Sequence, residues 1–306
     1  MTGTSKSVAF IGLGIMGGPM AAHLVRAGHR VTGVNLEQDA VDRLIAAGGR
    51  GAANIAEAVR DADVVITMVP ADPHVEQVMF GADGVLAAAR PGTLVIDMSS
   101  IKPATSIAVA EAGAERRLRV LDAPVSGGEA GAIEAVLSIM VGGEAADFAA
   151  ALPLFEVLGK TVVHVGPHGA GQTVKAANQL IVAGNIQLVA EALLFLERAG
   201  VDTEAGLRVL AGGLAGSTVL DRKARVMRER DFRPGFRIDL HHKDMGIVTE
   251  SAREFDLVLP LAGLTAQLVA SLRAQGGGGL DHSGLLLGLE RLNGGSDDSS
   301  SKQGDN

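Results

Sequence analysis

Cysteine, tryptophan and tyrosine are absent from this chain, and phenylalanine occurs only 8 times. Without cysteine there is no disulfide framework, no thiolate zinc site and no thiol nucleophile, a composition compatible with a reducing cytoplasm. With so few aromatic side chains, the stacking platforms on which single-stranded nucleic-acid binders seat bases are also missing. Basic residues are in deficit, 27 Lys+Arg against 35 Asp+Glu for a net charge of −8, so the field of the protein repels polyanions. Nucleic acid is therefore not an expected partner. Long hydrophobic runs are lacking as well: 181–196 is broken by Asn185, Gln187 and Glu191, and 257–272 by Pro260, Gly263 and Gln267. Neither reaches the roughly 18–20 uninterrupted apolar residues of a membrane-spanning helix, so no membrane is expected and the chain reads as soluble and cytoplasmic.

What the chain has in excess is glycine, 41 of 306 residues, nearly twice the usual ~7% and without collagen periodicity. At roughly 100–200 residues per domain, the length predicts about two domains. Within residues 8–165, short β-rich apolar runs at 8–11, 30–34, 64–69, 94–98, 119–121, 138–141 and 162–165 alternate with amphipathic stretches such as 19–27, 40–47 and 74–80. Such alternation predicts an α/β domain, a mostly parallel sheet covered on both faces. After about Gly166 the strand-like runs stop, and helical stretches at 174–199, 203–210, 243–255, 261–274 and 284–292 predict a second, all-α domain. The division is placed at 1–166 and 167–293, with 294–306, a segment without apolar residues, as a disordered tail.

The first apolar run leads straight into Gly12-Leu13-Gly14-Ile15-Met16-Gly17, a G-x-G-x-x-G between a predicted strand and a predicted helix. In that context Gly12 permits a tight turn, Gly14 lets the backbone approach a pyrophosphate and Gly17 lets helix and strand pack closely, with the helix N-terminus facing the phosphates. The residue that reads the adenosine ribose is expected at the end of the second strand, where Asn35 stands, followed by Leu36. Asn35 neither favours a 2′-hydroxyl as a carboxylate does nor binds a 2′-phosphate as an arginine does. The cofactor is therefore NAD or NADP, with NAD favoured because no phosphate partner is adjacent.

Ser126-Gly127-Gly128 follows a predicted strand, and is either an ordinary glycine turn or a concavity of backbone N–H groups suited to a carboxylate or phosphate. Lys175 and Asn178 are three residues apart and share one helix face, which Asn185 continues. A helix lysine is either solvated or, where it meets a ligand, a proton donor to a carbonyl oxygen becoming an alkoxide. His241 and His242 are adjacent and point in different directions, with no carboxylate or third ligand at metal spacing, so no metal is expected. The charge run 222–231 reads as a solvated helix face.

Taken together and in order, residues 10–17 (FIGLGIMG), 97–101 (DMSSI), 122–128 (DAPVSGG), 169–178 (GAGQTVKAAN) and Lys243-Asp244 resemble the β-hydroxyacid dehydrogenase family, whose members include 3-hydroxyisobutyrate dehydrogenases. The resemblance covers about residues 7–293 and implies a Rossmann-type N-terminal domain and an all-α C-terminal domain joined by a long interdomain helix. Residues 212–220 (GGLAGSTVL) and 234–240 (PGFRIDL), with 138–143 (SIMVGG), resemble the branch that reduces tartronate semialdehyde. The resemblance makes Lys175 the catalytic lysine with Asn178 beside it, and gives the carboxylate of a small aldehyde substrate to Ser126, Gly127 and Gly128. By the same resemblance Met68, Val69, Pro70 and Ser100 line the nicotinamide side, and Lys243 reaches the cofactor. Many relatives carry an acidic residue or an Asn-Arg pair where this chain has Asn35-Leu36. A homodimer or homotetramer is implied. The competing expectations are another short β-hydroxyacid such as 3-hydroxyisobutyrate, a non-catalytic dinucleotide-binding module, and imine reduction.

Overall fold

The computed structural model describes residues 5–295, so the tail expected at 294–306 lies, past residue 295, outside the described residues. The chain divides into two compact units, Met1–Ala176 and Ala177–Asn306. Among the described residues the first is built on nine strands: β1 (Ser7–Ile11), β2 (Arg30–Val34), β3 (Arg50–Gly51), β4 (Val64–Thr67), β5 (Leu94–Asp97), β6 (Arg119–Asp122), β7 (Val125–Ser126), β8 (Leu137–Gly143) and β9 (Gly159–Gly166). They form one sheet in the order β3-β2-β1-β4-β5-β6-β8-β7, with β9 paired to β8. Strands β1 to β6 run parallel, and β8 reverses against β6 and β7.

Pleating sends successive side chains to opposite faces. Val8, Phe10, Ile66, Ile96 and Leu121 belong to one core, and Ala9, Ile11, Val65, Val95 and Val120 to the other. Burial on both sides is why β4 (VVIT) and β5 (LVID) read as continuous rather than alternating apolar runs. The two-residue strands β3 and β7 carry no such pattern: Arg50 and Gly51 are both exposed, and Val125–Ser126 is held by its pairing with Ile139 and Ser138.

Because β1 lies between β2 and β4, the crossovers leave it on opposite sides, and the carboxyl edge of β1 and β4 is the switch point of the sheet, where doubly wound folds bind ligands. The helix Gly17–Arg26 starts there. A Cβ at Gly17 would collide with the Gly12 carbonyl and meet Phe10 at 3.0 Å, so this helix reaches its strand only through a residue without a side chain.

The second unit is helical, with helices Thr203–Ala211, Thr218–Arg228, Ile238–Glu254, Pro260–Ala274 and Leu285–Leu292. Ser217 accepts from Leu220 N–H and Asp202 from Glu204 and Ala205 N–H, the side-chain caps that start two of these helices. The charge run at 222–231 falls partly on the second of them, whose Leu220, Ala224 and Met227 are buried while Arg222 stays exposed.

The long helix Ala170–Arg198 runs through the division. By length and composition it is the one helix among the described residues long and apolar enough to cross a membrane. Its Ile186, Ala190 and Leu193 nevertheless sit in the core of the second unit, and Gln172, Lys175, Gln179 and Gln187 are buried polar residues along it. The strand grammar stops near Gly166, whereas the division falls at Ala176, because the first turns of the long helix are tied to the sheet by side-chain hydrogen bonds described below.

Substituting Gly17 with Ala is expected to cost about 1–3 kcal/mol by overpacking, which for a unit of this size lowers the melting temperature by roughly 3–10 °C. Calorimetry of the variant beside the parent checks this.

Candidate active site

The glycine loop divides its constraints. Gly12 has φ of +95° and a Cβ there would strike the carbonyl of Met68, so both the backbone and the neighbouring strand end require glycine. Gly14 has nothing within 4 Å of its would-be Cβ, and the space above it is open to a ligand. The first turn of the helix Gly17–Arg26 contains no acidic residue. Its positive end therefore faces that space with no carboxylate to offset it, although Gly18 N–H is already taken by Gly14 O at 2.9 Å. These features fit a bound dinucleotide pyrophosphate at Gly12-Leu13-Gly14-Ile15-Met16-Gly17. Asn35 also serves the fold itself, because its Oδ1 accepts from Leu13 N–H at 2.9 Å and holds the end of β2 against the loop, while Leu36 is fully exposed.

Along the same carboxyl edge, Thr67, Asp97 and Asp122 stand in register at the ends of β4, β5 and β6. Asp97 Oδ1 accepts from Thr67 Oγ1 at 2.6 Å and from Ser99 N–H at 3.3 Å, while its Oδ2 has no hydrogen-bond partner. Burial pushes the Asp97 carboxyl up to about 6, with a smaller upward push from Asp122. Burial also raises Asp122, but hydrogen bonds from Gly169 and Gln172 N–H offset part of that rise.

Asp122 is a cap for the long helix. Its Oδ1 accepts from Gly169 N–H at 2.8 Å and its Oδ2 from Gln172 N–H at 3.1 Å, just where a helix leaves N–H groups unsatisfied. A Cβ at Gly171 would meet Met140 O at 2.5 Å and Asp122 Oδ2 at 2.7 Å, which is why the second residue of the helix is glycine. The side chain of Gln172 then reaches the segment after β5, donating to Ser99 O at 2.8 Å and accepting from Ile101 N–H at 3.2 Å. Val69 N–H donates to Ser99 Oγ at 3.0 Å, so the expected nicotinamide-side segments at Met68, Val69, Pro70 and Ser100 are joined.

Lys175 follows Gln172 by one turn and is buried, 9% exposed. Asn178 follows by another turn, and its Oδ1 is buried without a hydrogen-bond partner. A buried acceptor left unmade is costly, and its position on the lysine's helix face suits a ligand that supplies a donor. The turn at Ser126-Gly127-Gly128 has two consecutive glycines in the left-handed region, φ of +144° and +66°, with open space at Gly128. In the second unit Lys243 Nζ lies 2.9 Å from Asp244 Oδ1, a distance-only ion pair without hydrogen-bond geometry, and Asp244 Oδ2 accepts from Gln179 Nε2. Gln179 directly follows Asn178, so Lys243, on the helix Ile238–Glu254, is linked through Asp244 to the long helix beside Asn178.

His241 is fully buried, its Nδ1 3.2 Å from that of His282, while His242 is half-buried. Among the described residues no three His, Asp or Glu side chains are grouped to hold a metal ion. Asp97, Asp122, Gln172 and Gln179 had no assigned role in the sequence. All four lie inside or beside the motif segments, and the i, i+3 spacing of Gln172 and Lys175 was the one local signal available.

A family profile described as the NAD binding domain of 6-phosphogluconate dehydrogenase matches residues 7–166. A second, described as NAD-binding of NADP-dependent 3-hydroxyisobutyrate dehydrogenase, matches residues 169–288. The chain is 44% identical over 285 residues to 2-hydroxy-3-oxopropionate reductase of Escherichia coli, covering 93% of this chain and 97% of that protein. It is 40% identical over 278 residues to an NAD-dependent L-serine dehydrogenase of Pseudomonas aeruginosa, covering 89% and 93%. The structure of Mycobacterium tuberculosis 3-hydroxyisobutyrate dehydrogenase with L-serine is similar at a TM-score of 0.86 and 34% identity, covering 94% of this chain and 99% of that one.

The raised Asp97 carboxyl makes a pH prediction. Its folded value of about 6 exceeds the ordinary 3.8, so the native state holds the proton more tightly between these values. The group's favourable contribution is complete below 3.8 and is lost as pH rises through about 6. Asp97→Asn keeps the oxygen that Thr67 and Ser99 use and removes the charge. Its unfolding free energy is expected to gain on the parent's between pH 4 and 7, by up to about 2–3 kcal/mol, with the melting temperature rising accordingly, and to hold that gain above pH 7. Thermal scans across that range check it; a pH-independent difference contradicts it.

Proposed function

The chain belongs to the 3-hydroxyisobutyrate dehydrogenase family of NAD(P)-dependent oxidoreductases acting on CH–OH groups, and from that premise we propose that it reduces tartronate semialdehyde to D-glycerate. The observation that carries this reading is the pairing on one helix face of a buried lysine, Lys175, with the unpartnered buried oxygen of Asn178. Similarity to the E. coli 2-hydroxy-3-oxopropionate reductase supports the choice of substrate within the family.

In this reading the substrate carboxylate is received by the Ser126 hydroxyl and the N–H groups of Gly127 and Gly128. The reduced nicotinamide, when bound, supplies a hydride to the carbonyl carbon. Lys175 gives a proton to the carbonyl oxygen as charge develops on it, a contribution typically worth about 10²–10⁴ in rate. Asn178 accepts from the substrate hydroxyl and so orients the carbon that is reduced. Exposed Leu36 after Asn35 offers no cation to a 2′-phosphate, which favours NADH over NADPH.

The same helix supports self-association. Val174, Ile181, Leu188 and Phe195 recur every seven residues and are 38%, 62%, 62% and 74% exposed, an apolar stripe along two-turn intervals. We assign this stripe to a second copy of the chain. Phe195→Glu is expected to shift the protein to a smaller species in light-scattering-coupled gel filtration, and an unchanged mass removes the assignment.

Lys175→Ala is expected to lower turnover of tartronate semialdehyde at least about 100-fold while NADH affinity stays within about threefold of the parent's. Turnover is measured against a panel of carboxylate-bearing aldehydes with NADH and NADPH, with L-serine and 3-hydroxyisobutyrate in the oxidative direction, and affinity by nucleotide fluorescence. Near-normal turnover in the variant defeats the lysine's role, and a preference for another panel member replaces the substrate.

A further inference from the structure

The carboxamide of Gln172 is 1% exposed and bonds to the backbone on both sides of one residue, Ser100: its Nε2 donates to Ser99 O at 2.8 Å and its Oε1 accepts from Ile101 N–H at 3.2 Å. This is a side chain imitating a strand partner. It lies 71 to 73 residues from the segment it holds, so no local turn preference maintains the contact. The backbone N–H of Gln172 is itself fixed on Asp122 Oδ2, and Ser99 carries the connection onward by accepting Val69 N–H on its Oγ. The result is a continuous chain of hydrogen bonds from the segment after β4, through the segment after β5, to the first turn of the long helix. Lys175 stands one turn further along that helix, on the same face as Gln172.

From this arrangement we infer that Gln172 is a positioning residue: it sets the Lys175 ammonium at a fixed distance from the Ser100 segment, and thereby aligns the proton donor with the place where the carbonyl carbon is reduced. The inference rests on the reading of Lys175 as the acid. Its physical basis is that both partners of the clamp are buried, so an alternative arrangement would leave Ser99 O and Ile101 N–H without water to replace the carboxamide. Those two bonds discriminate between registers of the helix against the sheet. Misplacement of a catalytic group by about 1 Å can cost about 10²-fold in rate, so a small loss of register has a large kinetic consequence.

Two substitutions separate alignment from general stability. Gln172→Met keeps length and removes both bonds. It is expected to lower kcat about 10- to 100-fold with the KM for NADH changed less than about threefold, and to raise the primary isotope effect with 4-deuterated NADH. In the protein without nucleotide, amide exchange in a peptide containing Ile101 is expected to quicken at least about tenfold. Gln172→Glu has a built-in rescue: protonated, its carboxyl donates to Ser99 O and accepts from Ile101 N–H as glutamine does, whereas ionised it places a charge beside Ser99 O and Asp122. Its kcat relative to the parent is expected to rise about tenfold between pH 8 and 5.5.

A folded Gln172→Met with the parent's kcat, isotope effect and exchange overturns the inference, as does a Gln172→Glu ratio that is flat with pH. If Gln172→Met does not fold, the pH-dependent rescue of Gln172→Glu decides. A parent protein that reduces no carboxylate-bearing aldehyde strikes instead at the reading of Lys175, and unchanged exchange at Ile101 then refutes the clamp by itself.

Discussion

The structure depends on one carboxylate. Asp122 ends β6 and accepts the Gly169 and Gln172 N–H groups that open the long helix, so this side chain, with that of Gln172 answering from the helix, joins the sheet to the element carrying Lys175 and Asn178. Everything near it is arranged to let that happen. Gly142 and Gly171 crowd its oxygens so closely that a Cβ on either would fall within 2.5–2.8 Å of them or of neighbouring backbone. The energetic logic is that of a helix cap, except that the cap comes from a strand rather than from the preceding residue. Charge at this spot is tolerable because two N–H dipoles and the positive end of a helix face it.

Next to Asp122 the environment gives a second carboxyl the opposite treatment. Asp97 is the more deeply buried, and although Thr67 and Ser99 support its charge, its Oδ2 has no hydrogen-bond partner. Two acids in register on adjacent strands thus differ in how well their charge is solvated by the protein. Asp122 gains the firmer support, and Asp97 sits closer to protonation. A charge that anchors a helix is kept, while its neighbour approaches the behaviour of a neutral, hydrogen-bonding core residue.

Legibility in the sequence followed the range of each interaction. The strands with two buried faces, the glycine loop and the shared face of Lys175 and Asn178 each express themselves within a few residues, and local periodicity or spacing finds them. The short strands β3 and β7 have no residue pattern of their own and exist through their partners. Asp122 and Gln172 lay within conspicuous motifs, yet their roles are defined by contacts 47 to 73 residues away, which no window on the sequence contains. Asn35 is the intermediate case: its place at the end of β2 is readable from spacing, but its bond to Leu13 N–H exists only once β1 and β2 are adjacent. The boundary of the first unit falls beyond the change in strand grammar for the same reason, since the long helix's opening turns are held by distant side chains.

The three glycines of the loop answer to different masters. Gly12 and Gly17 are demanded by the protein's own atoms, whereas Gly14 borders vacant space and owes nothing to the folded chain. A methyl group added there burdens no neighbour at home and meets only the guest. Natural variation at that site would thus be filtered by what the molecule carries, independent of whether it folds, so tolerance of the residue becomes a record of occupancy rather than of architecture.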